Sequence, residues 1–347
     1  MKDLAVVGGG PVGLATALYA AQAGLDVVVL EPRAGILDKA CGEGLMPAGL
    51  AALRGLGVVP DGHPFRGIRY LAGQRSVTAD FVAGPGLGVR RTTLHAALRQ
   101  AVSDVGVPVL PHRVSSLEQD GKGVEVEGVR ARYLVAADGL HSPLRRSLGL
   151  DRRPRGRARF GLRRHVRTAP WSEYVDVHWG EGVEAYVTPV AADLVGVAVL
   201  THHRGPFEQH LAAIPGLRER LRSVEMTPAM GAGPLRQCSR RRVSGRVLLV
   251  GDASGYVDAL TGEGIALGLQ QAAAAVQAVL ADHPAGYERA WRRVTYPHTA
   301  MTQALLTLTR PQLLRRALVP AAAALPGVFA AAVNALAAEA PPQHSPV

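Results

Sequence analysis

The chain has two cysteines and three lysines in 347 residues, and aromatic side chains make up only 5% of it. Cys41 and Cys238 can form neither a CxxC pair nor a four-ligand zinc set, so no structural metal site is expected. Two cysteines at this length also point to a reducing compartment, the cytoplasm, and away from a structural disulfide. With lysine confined to Lys2, Lys39 and Lys122, 36 of the 39 basic side chains are arginine and the formal charge is +11. Eight of these arginines fall within residues 152–167. They alternate with apolar residues and have no interleaved aromatics on which bases could stack, so the segment reads as a solvated strand and linker and no nucleic-acid partner is expected.

Other absences narrow the class further. Four glycines interrupt the apolar N-terminus and lead straight into a strand-turn-helix pattern, so this stretch is not expected to be a signal peptide. No internal repeat or low-complexity tract is present. Charge is missing from one long stretch, residues 317–338, which is long enough to span a bilayer. Pro320, Pro326 and Asn334 interrupt it, so packed C-terminal helices are expected, with peripheral membrane contact by a greasy surface as the alternative.

What is present is a globular, enzyme-sized composition: 48% apolar residues, 40 glycines and 24 prolines. Residues 3–8 read as a buried strand, 11–24 as a helix and 26–31 as a second all-apolar strand, a parallel βαβ unit. A helix follows at 92–105, with a threonine able to cap its start. Paired strands are expected over 114–132, a strand-rich insertion from about 158 to 200, helix at 207–222, a strand at 246–250 and a long helix at 264–282.

The first motif is Gly8-x-Gly10-x-x-Gly13, with Glu31 eighteen residues beyond. The first two glycines allow a pyrophosphate to approach the backbone at a helix N-terminus, the third allows close helix–strand packing, and the acid can accept hydrogen bonds from a ribose diol. Asp252 closes a strand at its carboxyl end, where ligands bind in open α/β sheets. Gly262-Glu263-Gly264 then opens a helix whose free N–H groups can face electron density.

The stretches VAADGLHSPLRR, containing Asp138, and RVLLVGDASGYVDALTGEGI resemble two further motifs of the FAD-dependent aromatic hydroxylase (p-hydroxybenzoate hydroxylase-like) and geranylgeranyl reductase superfamily. The three motifs lie in that family's order. The resemblance implies an α/β fold: a Rossmann-like FAD-binding domain (1–70, 88–157 and 240–285), an inserted β-sheet substrate domain (71–87 and 158–239) and a C-terminal helical region (286–347). It implies FAD contacts from Gly8, Gly10, Gly13, Glu31, Asp138, Asp252, Gly262, Glu263 and Gly264, with Arg91 near the pyrophosphate and Gln100 as a further contact.

KACGEGLMP resembles the flavin-lining Cys-Gly-Gly-Gly-like loop of the reductase branch, with Glu43 in place of a glycine. Cys41 is then expected beside the flavin as a small thiol shaping the pocket. Lys39 and Glu43 are expected to contact substrate or to pair with each other. The chain departs from that branch at Glu184-Ala-Tyr186-Val-Thr188-Pro189, which keeps only an aromatic and the proline of a Tyr-x-Trp-x-Phe-Pro pattern. Ala259 stands where proline is common, and the halogenase Gly-Trp-x-Trp-x-Ile-Pro motif is absent. Tyr186 and His178 are the substrate-lobe candidates, beside Cys41 and Glu43 as catalytic candidates. The leading implied activity is an NAD(P)H-using monooxygenase acting on a hydrophobic or aromatic small molecule through a flavin C4a-hydroperoxide. The alternative is an FAD-dependent reductase of carbon–carbon double bonds.

Overall fold

Strand Lys2–Val7 pairs in parallel with Val27–Leu30 on one side and Val129–Ala136 on the other. Val129–Ala136 runs parallel to Val247–Leu249, and Val27–Leu30 to Val109–Leu110. Central strands of such a sheet are covered on both faces, which is why VVVL and VLL contain no polar residue. Leu4, Val6, Val27 and Val29 pack with the helices Pro11–Gln22, Arg91–Asp104 and Gly264–Leu280. The alternate residues Ala5, Val7, Val28 and Leu30 pack with Val124 and Val126 of an antiparallel hairpin layer. The close contact of helix on strand depends on Gly13, where a Cβ would lie 1.8 Å from the Gly8 carbonyl oxygen. The computed structural model describes residues 1–338, so positions 339–347 of the expected C-terminal helical region lie outside the described residues.

The second lobe is a seven-stranded sheet in the order Met230–Ala232, Phe160–Arg167, Leu194–Thr201, Val183–Ala191, Tyr174–Gly180, Gly67–Ala72 and Arg75–Asp80. The expected boundary at residue 71 cuts through its sixth strand. Gly67–Ala72 pairs along its length with Tyr174–Gly180, so residues 67–70 belong to the seven-stranded sheet. Helices Phe207–Leu211 and Pro215–Arg220 cover the far face, packing on Val183, Ala185, Val187, Val195, Val197 and Val199. The near face turns toward the FAD-binding lobe and the C-terminal helices Gly286–Leu308, Gln312–Ala324 and Pro326–Ala337. No single described helix is long and apolar enough to cross a membrane, and the last two together are bent by 102°.

Two expectations change in physical detail. The helix Arg91–Asp104 has no side-chain cap, because its first turn is served from outside by the Glu43 carboxylate, which accepts from the Arg91 amide at 2.9 Å. The arginine-rich segment is not uniformly solvated. Arg152, Arg153, Arg155 and Arg157 are exposed, but Arg159 and Arg163 are buried. Arg159 meets Glu184 at 2.6 Å, and Arg315 from the C-terminal helix meets the other Glu184 oxygen at 2.6 Å.

The two lobes are tied by Arg145, whose side chain is fully buried. Its Nε donates to Asp151, Nη1 to the carbonyls of Asp252 and Ala253, and Nη2 to the Leu140 carbonyl and Gln237 Oε1. Every guanidinium donor therefore has an acceptor. Arg145→Ala would leave three buried carbonyls short of a partner and is expected to cost about 3–5 kcal/mol. Urea unfolding of the variant checks this, and a midpoint within error of the parent would remove Arg145 as the anchor.

Candidate active site

A cleft between the lobes gathers the sequence motifs. Gly10, Arg91, Asp252, Gly262 and Gly264 line it from the FAD-binding lobe, and Cys41 to Gly44 cross its wall. Ile68, Tyr70, Val175, Val177, Tyr186 and Leu200 line it from the substrate sheet. Val333 and Leu336 close it from the last helix.

The Lys39–Gly44 loop is held from several sides although it contains little regular structure. His95, buried in its helix, accepts from the Leu37 amide at Nδ1, so its Nε2–H donates to the Gly9 carbonyl at 2.8 Å. Burial is the main reason its imidazole is less basic than usual, despite that bond. Thr188 donates its hydroxyl to the Gly42 carbonyl at 2.8 Å. Asp38 reaches Arg163 at 2.5 Å, and Lys39 reaches Asp252 at 3.0 Å.

Glu43 has a left-handed backbone, with φ of 60°, where the family resemblance has glycine. A non-glycine residue there costs on the order of 1–3 kcal/mol. Its buried carboxylate offsets that cost by accepting from the Arg91 amide and from His165 Nε2 at 2.7 Å. Arg163 can only donate, so its 3.0 Å contact fixes His165 Nδ1 as acceptor and puts the proton that Glu43 accepts on Nε2. The expected Lys39–Glu43 pair is therefore replaced by Lys39–Asp252 and His165–Glu43, because the two side chains leave the loop toward opposite walls.

The Cys41 sulfur accepts from the Glu43 amide at 3.4 Å. Burial pushes the thiol pKa up and the Glu43 carboxylate adds to this, against the opposing charges of Arg91 and Lys39. The group is a protonated thiol at neutral pH and a poor nucleophile. Tyr186 donates its hydroxyl to the Leu260 carbonyl at 2.8 Å, and burial raises its pKa well above the usual phenol value.

Residues 1–185 fit the family described as FAD binding domain. The chain belongs to that family. It is 31% identical over 308 residues to menaquinone reductase of Mycobacterium tuberculosis, a match covering 77% of this chain and 74% of the relative. It is 30% identical over 298 residues to digeranylgeranylglycerophospholipid reductase 1 of Methanopyrus kandleri, covering 76% of each. Among solved structures, p-nitrophenol 4-monooxygenase of Pseudomonas putida aligns with a TM-score of 0.79 at 20% identity, covering 96% of this chain and 98% of that one. That last likeness is one of fold.

FAD fits the groups that the cleft leaves free. A Cβ at Gly10 would meet only Arg91 Nη2, at 3.8 Å, so the turn is open toward the guanidinium. Arg91 Nε is buried without a partner, and the helices starting at Pro11 and Gly264 have no side-chain cap. These are donors suited to a pyrophosphate and to an electron-rich flavin edge. Asp138 holds the Leu144 amide with one oxygen while the other is buried without a partner. Burial raises its pKa, against the hydrogen bonds it accepts. Glu31, expected to hold a ribose diol, is not among the free groups: it is buried off the cleft wall and accepts from the Gly9 amide at 2.8 Å and from Arg33 through the backbone and guanidinium. Desolvation works against its charge, but those bonds hold the carboxyl below the usual range.

Other expected residues fall elsewhere. Gly8 and Gly13 serve packing, with a Cβ at Gly8 lying 2.4 Å from the Ala137 carbonyl. Glu263 turns away from the cleft to His298, 2.9 Å distant. Gln100 is exposed and bonds Asp104 along its own helix, because the active end of that helix is its first turn. His178 faces the far side of its strand with Asp176, since Val175 and Val177 take the cleft-facing positions. Arg145, His95, Arg163 and His165 were not anticipated. Arg163 and His165 alternate along one strand, but which face that strand would turn to the cleft was not visible in the sequence, and Arg145 and His95 lie on helices whose buried partners come from distant segments.

Within the second motif, burial pushes Asp258 up to about 6, with Arg159 opposing. A carboxyl raised above its unfolded value binds a proton preferentially in the folded state, so stability is lost as pH rises from about 4 through 6. Asp258→Asn is expected to flatten that part of the stability profile, read by thermal melts across pH; an unaltered profile would assign the dependence to another group. Arg91→Met is expected to weaken FAD binding about 10- to 100-fold, the worth of one charged hydrogen bond. Titration of the apoprotein with FAD measures it, and parental affinity would take Arg91 out of the site.

Proposed function

We propose that the chain is an FAD-dependent reductase that adds two hydrogens across a carbon–carbon double bond of a long apolar substrate of the isoprenoid kind, with NAD(P)H as the electron source. The observation that carries this is the protonated Cys41 thiol at the wall of a cleft whose substrate side is apolar. Saturating a double bond needs a hydride at one carbon and a proton at the other. Bound FAD would supply the hydride equivalent. Cys41 holds a proton at Sγ, and Arg91 and Lys39 favour the thiolate left after its release. Ile68, Val175, Val177 and Leu200 exclude water from an apolar chain, and the Tyr186–Leu260 bond fixes the floor beneath it. The reductase names of the two relatives, aligned over about three quarters of the chain, support the same class.

Oxygen transfer is the second reading. It is favoured by the Glu184-to-Pro189 segment, which lacks most of the aromatic pattern of long-chain isoprenoid reductases, and by Glu43 in the flavin loop.

The FAD-loaded protein, reduced anaerobically with NADPH and mixed with a geranylgeranyl lipid, is expected to return to oxidised flavin without oxygen and to yield a product two hydrogens heavier. A product carrying one added oxygen, formed only in air, would overturn the reductase in favour of the oxygenase. Cys41→Ala is expected to slow reoxidation by substrate about 10²- to 10⁴-fold, with flavin content and reduction by NADPH retained. A parental rate in this variant would move the proton source elsewhere.

A further inference from the structure

The helix Pro326–Ala337 is apolar on every side but one. Its inner face packs Phe329 and Val333 against the substrate lobe, and Asn334 ties it down by donating to the Asp80 carbonyl at 2.9 Å. Its outer face carries no charge and, among the described residues, is left open, with Val328 65% exposed. The preceding helix adds Leu313, 81% exposed, and the bend between the two adds Leu325, 59% exposed. A helix that is apolar all round belongs in a core or in lipid, and a contiguous exposed apolar surface marks an interaction site.

The neighbouring charge decides between occupants. The exposed arginines of residues 152–157 reach the start of this hairpin: the Arg310 guanidinium lies 4.0 Å from where a side chain at Gly156 would begin. Arg316, 68% exposed, flanks the same end, 3.8 Å from the exposed Glu181 in a solvent-screened pair that leaves its guanidinium open to other anions. A greasy face rimmed by exposed arginine matches an anionic bilayer, which offers hydrocarbon below a layer of negative headgroups. The helices have 13 and 12 residues, about 20 Å each, and their 102° bend makes them suited to lie in the interface and not to cross it. The inner face of the same hairpin lines the cleft through Val333 and Leu336.

We infer that the C-terminal hairpin and the exposed arginines of residues 152–157 together form a docking surface for an anionic lipid bilayer, lying directly over the substrate cleft. An apolar substrate would then pass from the bilayer to the cleft beneath the hairpin without crossing water.

The test is sedimentation of the full-length, FAD-loaded protein with phosphatidylcholine vesicles made with and without phosphatidylglycerol. The wild type is expected to pellet with the anionic vesicles and to be released by high salt. The combined change Leu313→Asp, Leu325→Asp and Val328→Asp, and separately Arg153→Glu, Arg155→Glu and Arg157→Glu, are each expected to lower the bound fraction about tenfold or more, with flavin content and melting temperature retained. Should the aspartate variant fail to fold, the arginine reversals read the surface alone. Wild-type protein remaining in the supernatant, or either folded variant binding as the wild type does, would overturn the inference. A wild-type dimer that the aspartate changes dissociate, without vesicle binding, would assign the face to a second copy of the chain. Vesicle binding is read without turnover, so its failure leaves the proposed reaction standing.

Discussion

The buried guanidinium of Arg145 is the constraint on which the rest of the site depends. It has no solvent to fall back on, so each of its donors needs a fixed acceptor. Those acceptors come from the segment after Asp138, from Asp151 where the chain leaves for the substrate lobe, from Gln237 where it returns, and from the carbonyls of Asp252 and Ala253. Two regions far apart in sequence, residues 140–151 and 237–253, are thereby held at one point. The position of Asp252 at the cleft follows from this, because its own carbonyl is one of the acceptors. The Asp-Gly motif and the second FAD motif act as one structural unit for the same reason.

A second constraint sets the opposite wall. Glu43 accepts a left-handed backbone that glycine would take without strain, and it recovers stability through two hydrogen bonds to its carboxylate. The outcome is a loop pinned to both lobes: to the FAD-binding lobe through the Arg91 amide, and to the substrate sheet through His165. A glycine there would leave the His165 Nε2–H and the first turn of the Arg91 helix without their acceptor. The side chain that departs from the family resemblance thus performs the docking that fixes where Cys41 sits.

Much of the FAD-binding lobe was legible because its signals are local. The spacing of Gly8, Gly10 and Gly13, the all-apolar strands and the acid at Glu31 each belong to one short segment, and the sheet forms as that periodicity implies. The substrate side was less legible because its signals are relational. Period-two alternation shows that Val177 and His178 face opposite ways, but only the pairing of seven strands decides that Val177 takes the cleft. Glu263 and Gln100 illustrate the same limit on helices: both sit near the right segment, yet one turns to His298 and the other to solvent. Buried arginines were the hardest to anticipate, since composition places arginine at the surface and only a complete set of acceptors reverses that.

The cleft that results has two chemically different ends. Free helix N-termini and Arg91 make one end attractive to anionic groups, and Lys39 lies against Asp252 at that same end. Side chains of Ile68, Val175, Val177 and Leu200 make the other end a place for hydrocarbon. The half-exposed Lys39–Asp252 pair contributes little stability by itself, because an ion pair in contact with water is screened. Its consequence is positional: it draws the loop toward the second motif while leaving both charges near enough to water to exchange partners when an anionic cofactor enters. The apolar end has no such exchange available, so its shape is set by packing alone. That division leaves one end of the cleft adjustable through charge and the other fixed by shape.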